Sequence, residues 1–328
     1  GLAERGFQVD KRPGHGRKRE RLEARLPSAP APRPDPPHVA VVGAGIAGAA
    51  TARALRAMGA RVTVVEAERP GAGGSGFPAG LVTPRLDAGD LTLATLYAQA
   101  LERAGDLYAG VPGAVLDRGV LQLPQAPRDA ARFDKIAAQP LWPEGAMQVI
   151  DAAAASDWLG EPIETGGLMM RDAVVVHPAA ALAAWLDGAE RLTARVGRLD
   201  PVGERWRLLD EAGAIVLEAD QVVIAAGWGA AELLGRAGPV LTPVRGQADW
   251  VEGVEGRGAA WGGYVAPAGQ GLLFGATHDR GRTETDVRAE DSARNLSTLA
   301  ARAPALARRA EGAPRHARAA VRATTADR

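Results

Sequence analysis

The order of apolar and polar positions from His38 onward predicts a strand, a helix and a second strand. Residues 39–42 form a short apolar run, a glycine-rich turn follows, and small residues continue from about Ile46 to Met58 before a second apolar run ends at Glu66. Short apolar runs are typical of buried strands, and a glycine directly after the small-residue stretch marks the end of a helix. The segment is therefore predicted to form one βαβ unit.

The pattern changes further along the chain. Residues 90–138 are mostly helical and polar, whereas residues 191–221 alternate like strands joined by turns and lead into the apolar run 222–226. Short strand-like pieces rich in Gly and Trp occupy residues 248–277, and a helical segment rich in Ala and Arg covers residues 289–309. This order predicts an α/β chain in which an antiparallel sheet accompanies the parallel unit.

The first 37 residues differ in composition from the rest. The stretch "GFQVDKRPGHGRKRE", residues 6–20, is rich in Lys, Arg and Gly, and proline then occupies positions 27, 30, 32, 34, 36 and 37. Proline at this density excludes a helix or a central strand and favours an extended spacer. We therefore expect a linker at residues 27–37 and a domain boundary there.

Composition narrows the classes of function. The chain has 328 residues, and its 39 Lys and Arg balance 39 Asp and Glu, so an anionic partner would have to meet a local basic patch such as Lys11 to Arg25. Cysteine is absent and the five histidines lack ligand spacing, so we expect no disulfide, no thiolate nucleophile and no metal site. No apolar run has membrane-spanning length and no signal-peptide pattern is present, so we expect a soluble, cytoplasmic protein without a membrane partner. Composition leaves the oligomeric state open.

The turn "GAGIAG" carries the clearest chemistry. Gly43, Gly45 and Gly48 form a GxGxxG pattern between a predicted strand and a predicted helix. The first glycine permits the tight turn, the second lets the backbone approach a pyrophosphate, and the third lets the helix pack on the strand. Glu66, at the end of the second strand, can accept hydrogen bonds from a ribose diol. An acid at this position suits FAD or NAD rather than NADP.

A second glycine-rich segment, "GAGGSGFPAGLVTPRLD" at residues 71–87, favours FAD over NAD. Its backbone amides from Gly73 to Gly80, with the Ser75 hydroxyl, could line the pyrophosphate and approach a flavin ring. The alternative is a flexible surface loop without a ligand, because glycine-rich turns are common.

Several segments together resemble the D-amino-acid-oxidase-like FAD oxidoreductases. Beside the glycine turn and Glu66 they are "SGFPAG" at 75–80, "VVIAAGWGA" at 222–230, "PVRGQ" at 243–247 and "VRATTADR" at 321–328. The resemblance implies a FAD-binding Rossmann-like domain with an inserted antiparallel-sheet substrate domain. It assigns residues 38–100, 150–240 and 314–328 to a discontinuous FAD-binding domain, and residues 101–149 and 241–313 to the substrate domain.

Within that family, the chain is most similar to the oxidase half of bifunctional enzymes that modify the wobble uridine of tRNA. "GATHDRGRTETDVRAEDSARNL" at residues 275–296 contributes to this likeness, and the opening stretch resembles the last strands of the preceding methyltransferase half. Residues 1–26 are accordingly expected to be a C-terminal remnant of a methyltransferase domain that forms two short strands. S-adenosylmethionine would bind only in the missing part of that half.

Two departures from the family pattern stand out. Phe77 occupies a position where family members usually have Asn. The family also continues beyond "TTADR" with a Leu-Pro stretch and a glycine-rich turn over the flavin, so the chain is expected to be a fragment.

The resemblance also implies site residues. The expected cofactor-binding residues are Gly43, Gly45, Ile46, Ala47, Gly48, Glu66, Ala67, Gly74, Ser75, Gly80, Leu81, Val196, Ala226 and Gly227. Arg322 matches the arginine that binds the substrate carboxylate in the family, and Tyr264 and Arg245 are secondary catalytic candidates. Each of the three also has a structural alternative. Arg322 could be a solvated surface charge, Tyr264 could be a packing residue, and Arg245 could brace the domain interface.

The implied reaction is oxidation of the C–N bond in the 5-carboxymethylaminomethyl group of wobble uridine in tRNA, with or without the 2-thio group. Hydride would pass to the flavin, and hydrolysis of the imine would release glyoxylate and leave the aminomethyl base. Two alternatives remain: an oxidase of a free amino acid such as glycine, sarcosine or a D-amino acid, and an inactive truncated flavoprotein. The basic segment at residues 11–25 favours the tRNA substrate, because a nucleic acid needs positive surface.

Overall fold

The computed structural model describes residues 1–13, 19–25, 35–235 and 238–326, and it divides into two units, 1–37 and 38–328. The first unit has a 3-10 turn at Ala3–Arg5 and two strands, β1 (Gln8–Pro13) and β2 (Glu20–Arg25), which pair antiparallel. The two predicted short strands are thus confirmed. Residues 26–34, most of the predicted linker, and residues 14–18 of the basic stretch lie outside the described residues.

Charged side chains face each other across this hairpin. Lys11 Nζ lies 3.1 Å from Glu20 Oε2, and Arg12 Nε lies 3.7 Å from Glu23 Oε2. Two of the basic residues that formed the expected patch are therefore paired with acids.

The second unit contains the remaining elements. In chain order they are β3 (His38–Val42), α1 (Ile46–Ala57), β4 (Arg61–Glu66), β5 (Gly80–Val82), α2 (Leu91–Ala109), β6 (Val115–Gln122), α3 (Asp129–Ala137), β7 (Met147–Ile150), α4 (Ala152–Leu159), β8 (Gly167–Val176), α5 (Pro178–Leu186), β9 (Glu190–Thr193), β10 (Val196–Val202), β11 (Arg205–Asp210), β12 (Ile215–Ala219), β13 (Gln221–Ile224), α6 (Ala230–Leu234), β14 (Thr242–Glu252), β15 (Ala259–Ala260), β16 (Tyr264–Ala268), β17 (Gly271–Gly275), β18 (Asp279–Arg280), α7 (Ala289–Ala300), α8 (Pro304–Glu311) and β19 (Arg315–Thr324).

A four-stranded parallel sheet has the order β13-β3-β4-β9. Strand β3 is buried along its whole length because it is central and its apolar residues pack on both faces. Helix α1 connects β3 to β4, so the predicted βαβ unit is confirmed. Strands β10, β11 and β12 form a separate antiparallel sheet.

The remaining strands of the second unit form a ten-stranded sheet. Its main order is β18-β14-β17-β16-β15-β6-β8-β5, with β19 paired to β14 and β7 paired to β8. The pairing is antiparallel except between β15 and β6. The combination of a parallel α/β sheet with a large, mainly antiparallel sheet confirms the predicted fold class.

The two faces of the large sheet pack against different partners. Alternate residues of a strand point to opposite faces. On one face, Val251, Leu272 and Phe274 join the core formed with α7 and α8. On the other face, Ala248 and Leu273 belong to a second core. The second face leads to the candidate site.

Sheet membership differs from the expected domain division at three places. Strand β5 lies within residues 38–100, β8 within 150–240 and β19 within 314–328, all expected in the FAD-binding domain, and all three belong to the large sheet. The sequence pattern of an apolar strand is the same whichever sheet the strand joins, so sequence alone could not assign these strands to a sheet. The division itself stays a prediction.

Candidate active site

The glycine turn between β3 and α1 has no room for side chains. Gly43 has φ +106°, and a Cβ atom placed on it would lie 2.5 Å from the carbonyl oxygen of Ala225. A Cβ on Gly48 would lie 1.9 Å from the carbonyl oxygen of Gly43. The turn thus brings the start of α1 directly against the carboxyl ends of β3 and β13.

The start of α1 is open to an anion. Gly45 is its N-cap and provides no side-chain acceptor for the first N–H groups. One of them, Ile46 N–H, donates to Ser75 Oγ at 2.9 Å, which docks the second glycine-rich segment on this helix. Ala47 is exposed in the first helical turn. Unpaired N–H groups and the helix dipole make this end suitable for a pyrophosphate.

Glu66 ends β4 beside the turn. Its Oε2 accepts from Ala44 N–H at 2.7 Å, and its Oε1 accepts from Glu68 N–H at 3.1 Å. These bonds orient the carboxylate, and each oxygen retains a lone pair for a ribose hydroxyl. The residues therefore fit the adenosine end of FAD. Ala67 follows directly at the same edge.

The other expected cofactor residues occupy different positions. Gly74 is exposed in the second glycine-rich segment, and Gly80 and Leu81 open β5 in the large sheet. Ala226 follows β13, with its Cα 3.0 Å from the position of a Cβ on Gly43, and Gly227 with φ +58° begins a 3-10 turn.

Val196 is buried at the start of β10. It packs in the same core as Val42 and Val65. Its side chain thus contributes to the core of the parallel sheet.

Arg322 crosses from β19 over β14. It lies opposite Val244 in the strand register, and its Nη2 donates to the carbonyl oxygen of Thr277 at 3.2 Å and lies 3.4 Å from His278 Nδ1. A Cβ on Gly246 would be only 2.7 Å from Arg322 Nη2. The glycine of "PVRGQ" therefore provides the space through which the guanidinium passes.

Tyr264 shares this face of the sheet. It lies opposite Gly275, which lies opposite Ala248, and directly opposed residues point to the same side. Burial raises the pKa of Tyr264 to about 12, and the Arg322 cation opposes part of that rise. The structure thus brings a neutral phenol and a guanidinium to one face, where they can donate hydrogen bonds to a carboxylate.

Arg245 is not brought together with these two residues. It is fully buried on the opposite face of β14, where Nη1 forms an ion pair with Asp291, and Nη2 donates to the Asp286 carbonyl oxygen at 2.6 Å and to Gln247 Oε1 at 3.3 Å. These contacts favour the bracing alternative, with β14 held against the segment that leads into α7.

Sequence reasoning missed three residues of this region: Gly246, His278 and Arg318. Arg318, on β19, donates through Nη2 to the carbonyl oxygens of Ala72 and Gly73. All three lie in or near the quoted motifs, yet their contacts depend on strand register, for which the motifs carry no signal.

The part of the chain that the structure describes holds neither a metal-binding cluster nor a membrane-spanning helix. Within residues 1–13, 19–25, 35–235 and 238–326, no cluster of three or more His, Cys, Asp or Glu side chains could hold a metal ion. In the same part of the chain, no helix combines the length and apolar character needed to cross a membrane.

Comparisons with known proteins agree with this geometry. Residues 38–328 match the family described as FAD dependent oxidoreductase. The whole chain is 50% identical to the tRNA 5-methylaminomethyl-2-thiouridine biosynthesis bifunctional protein MnmC of Caulobacter vibrioides, covering 54% of that protein. A protein of the same name from Chromohalobacter salexigens is 36% identical over 94% of this chain and 48% of its own length. The chain thus spans about half the length of these relatives.

Two solved structures show the same fold. Glycine oxidase from Geobacillus kaustophilus has a TM-score of 0.71 at 24% identity, over 89% of this chain and 84% of that one. Iminodiacetate oxidase from Chelativorans sp. BNC1 has a TM-score of 0.73 at 22% identity, over 88% of this chain and 84% of that one.

Proposed function

The chain belongs to the family of FAD-dependent oxidoreductases, and from this premise we propose that it oxidises the carboxymethylaminomethyl group of wobble uridine in tRNA. The products are glyoxylate and the aminomethyl base, with or without the 2-thio group. The observation that carries the proposal is the position of Arg322, whose guanidinium crosses Gly246 onto the face that holds Tyr264. The tRNA substrate is supported by the identity along the whole chain to proteins named for tRNA modification.

FAD, when bound, supplies the acceptor for the two electrons that leave the substrate. The start of α1 and Glu66 would hold its pyrophosphate and ribose. The methylene between the carboxylate and the amine loses a hydride, and the amine loses its proton, which gives an imine. Water then adds to the imine carbon, and cleavage of the C–N bond releases glyoxylate.

The protein's own task in this reaction is to position the substrate. Arg322 binds the carboxylate because a planar guanidinium matches its two oxygens. Tyr264 remains protonated near neutral pH and can donate a hydrogen bond without losing its proton. No side chain needs to act as a strong base, because the secondary amine only has to be neutral when the hydride leaves.

A bifunctional protein would carry its methyltransferase chemistry, and therefore S-adenosylmethionine, outside the FAD-family residues 38–328. We also propose that the reaction takes place in the cytoplasm, where a tRNA substrate would be available.

The proposal is tested with the full-length protein loaded with FAD. Substrates are tRNA carrying the carboxymethylaminomethyl group, free glycine and sarcosine, and glyoxylate release is measured for each. We expect the tRNA to have the highest kcat/KM, and Arg322→Ala to lower that value by about 100-fold, as loss of a charge-assisted bidentate contact does. Arg315→Ala, on the same strand and the opposite face, is the matched control.

Equal or better turnover of glycine or sarcosine would instead support the amino-acid oxidase. A wild-type KM for the tRNA in Arg322→Ala would remove Arg322 from the binding site.

A further inference from the structure

Arg318 connects strand β19 to the second glycine-rich segment, residues 71–87. It precedes Arg322 by four residues on β19 and lies opposite Ala248, so its side chain leaves the sheet on the same face as Arg322. Its Nη2 donates to the carbonyl oxygens of Ala72 and Gly73, the second at 3.3 Å. The guanidinium therefore fixes the backbone of this segment.

A glycine makes this contact possible. A Cβ on Gly76 would lie 3.0 Å from Arg318 Cζ and 2.3 Å from the carbonyl oxygen of Gly71. The neighbouring Ser75 accepts from Ile46 N–H at 2.9 Å, at the start of α1. The contacts of Arg318 thus continue through the segment to the start of α1, the helix end suited to a pyrophosphate.

One buried donor of Arg318 has no partner. This donor is Nε–H, for which no hydrogen-bond acceptor exists among the described residues. Among those residues no carboxylate forms an ion pair with this guanidinium either; Glu68 acts on it only from a distance. Burial, and then the charge of Arg69, lower the pKa of Arg318, although a guanidinium stays protonated at neutral pH.

An unpaired buried donor of this kind destabilises the protein when no cofactor is bound. A buried polar group without a partner costs about 1–3 kcal/mol, and more when it is charged. FAD bound at the start of α1 would bring oxygen acceptors toward the 71–76 segment, on its phosphates, its ribityl chain and its flavin ring. The cost would be relieved if one of these oxygens accepted from Nε.

We propose that Arg318 is a positioning residue for FAD, which holds the 71–76 segment through Nη2 and donates Nε–H to an oxygen of the bound cofactor. This inference rests on membership of the FAD-dependent family and not on the identity of the amine substrate.

The test compares Arg318→Lys, Arg318→Ala and the control Arg315→Ala in the full chain. A lysine ammonium can replace the donor to the two carbonyls but not the separate Nε donor. We therefore expect apo Arg318→Lys to unfold at the wild-type temperature or a few °C above it, since its loop contacts are kept and the unpaired Nε donor is removed. We expect its FAD dissociation constant, from the quenching of flavin fluorescence, to rise about tenfold or more, as a lost bond to a charged donor predicts. Arg315→Ala should bind FAD like wild type.

An FAD dissociation constant within twofold of wild type in Arg318→Lys would overturn the proposal and leave Arg318 a loop contact. If Arg318→Ala does not fold, Arg318→Lys alone decides the question. Because FAD binding is measured without tRNA, failure of the protein to oxidise tRNA would contradict the proposed function and leave this inference untouched.

Discussion

Replacing Gly246 by Ala tests the route that Arg322 takes across β14. The new Cβ would lie 2.7 Å from Arg322 Nη2 and 3.0 Å from the carbonyl oxygen of Thr277. Ordinary contact begins at 3.4 Å, so the guanidinium has to move by about 0.7 Å. The Thr277 oxygen belongs to the backbone and cannot move as easily, so the displacement falls on the arginine.

The size of the effect follows from that displacement. A misplacement of about 1 Å in a positioned catalytic group can cost about 100-fold in rate. We therefore expect Gly246→Ala to lower kcat/KM for the carboxymethylated substrate by about 10- to 100-fold, which corresponds to about 1.4–2.8 kcal/mol. FAD binding should not change, because Gly246, on β14, lies beside Arg322 and not in the glycine turn proposed to bind the cofactor.

The assay measures glyoxylate release over a range of substrate concentrations after the FAD content of each protein has been equalised by its visible absorption. Gly105→Ala is the control. Gly105 lies in α2, and a Cβ there meets nothing within 4 Å. This variant should keep wild-type kcat/KM, because the added methyl group fills open space.

A Gly246→Ala protein with full FAD content and kcat/KM within twofold of wild type would contradict this prediction. That result would mean that Arg322 does not need its position over β14 to bind the substrate.

Three further predictions concern other parts of the site. Glu66→Gln should weaken FAD binding about tenfold, because the bonds from Ala44 N–H and the ribose lose their charged acceptor; a fluorescence titration with unchanged affinity would contradict it. In Tyr264→Phe the pH profile of kcat/KM between pH 6 and 10 should keep its shape, since the pKa of Tyr264 is about 12. The unfolded chain loses this proton near pH 10, so between pH 10 and 12 wild type should lose unfolding free energy relative to the Phe variant. Arg245→Leu should lower the unfolding free energy by about 3 kcal/mol, measured in urea, because Asp291 loses its buried partner and keeps only Arg294.

The local features of the cofactor site could be predicted from sequence because they depend on residues close together in the chain. The turn from Gly43 to Gly48 depends on a particular backbone conformation and on the absence of Cβ atoms. Glycine provides both, so the residue types predict the turn. Glu66 could be placed for the same reason, since it follows the second apolar run directly.

The positions of the proposed substrate-binding residues depend on strand register, which residue types alone do not specify. Arg245 and Arg322 were both candidates, and only the pairing of Val244 with Arg322 shows that they point to opposite faces. The contact between Arg318 and the 71–76 segment joins residues more than 240 positions apart. Motifs identified the segments, and the fold decided which side chains meet.

The neighbouring positions 245 and 246 also bear on how the chain can misfold. A slip of β14 by one residue would turn Arg245 toward the face that Arg322 occupies, and Asp291 would lose Arg245, its buried partner. Both errors arise from the same slip, and each is costly in a buried position. A misregistered sheet would therefore be penalised energetically and would also displace the residues that we propose bind the substrate, so stability and the proposed activity favour the same register.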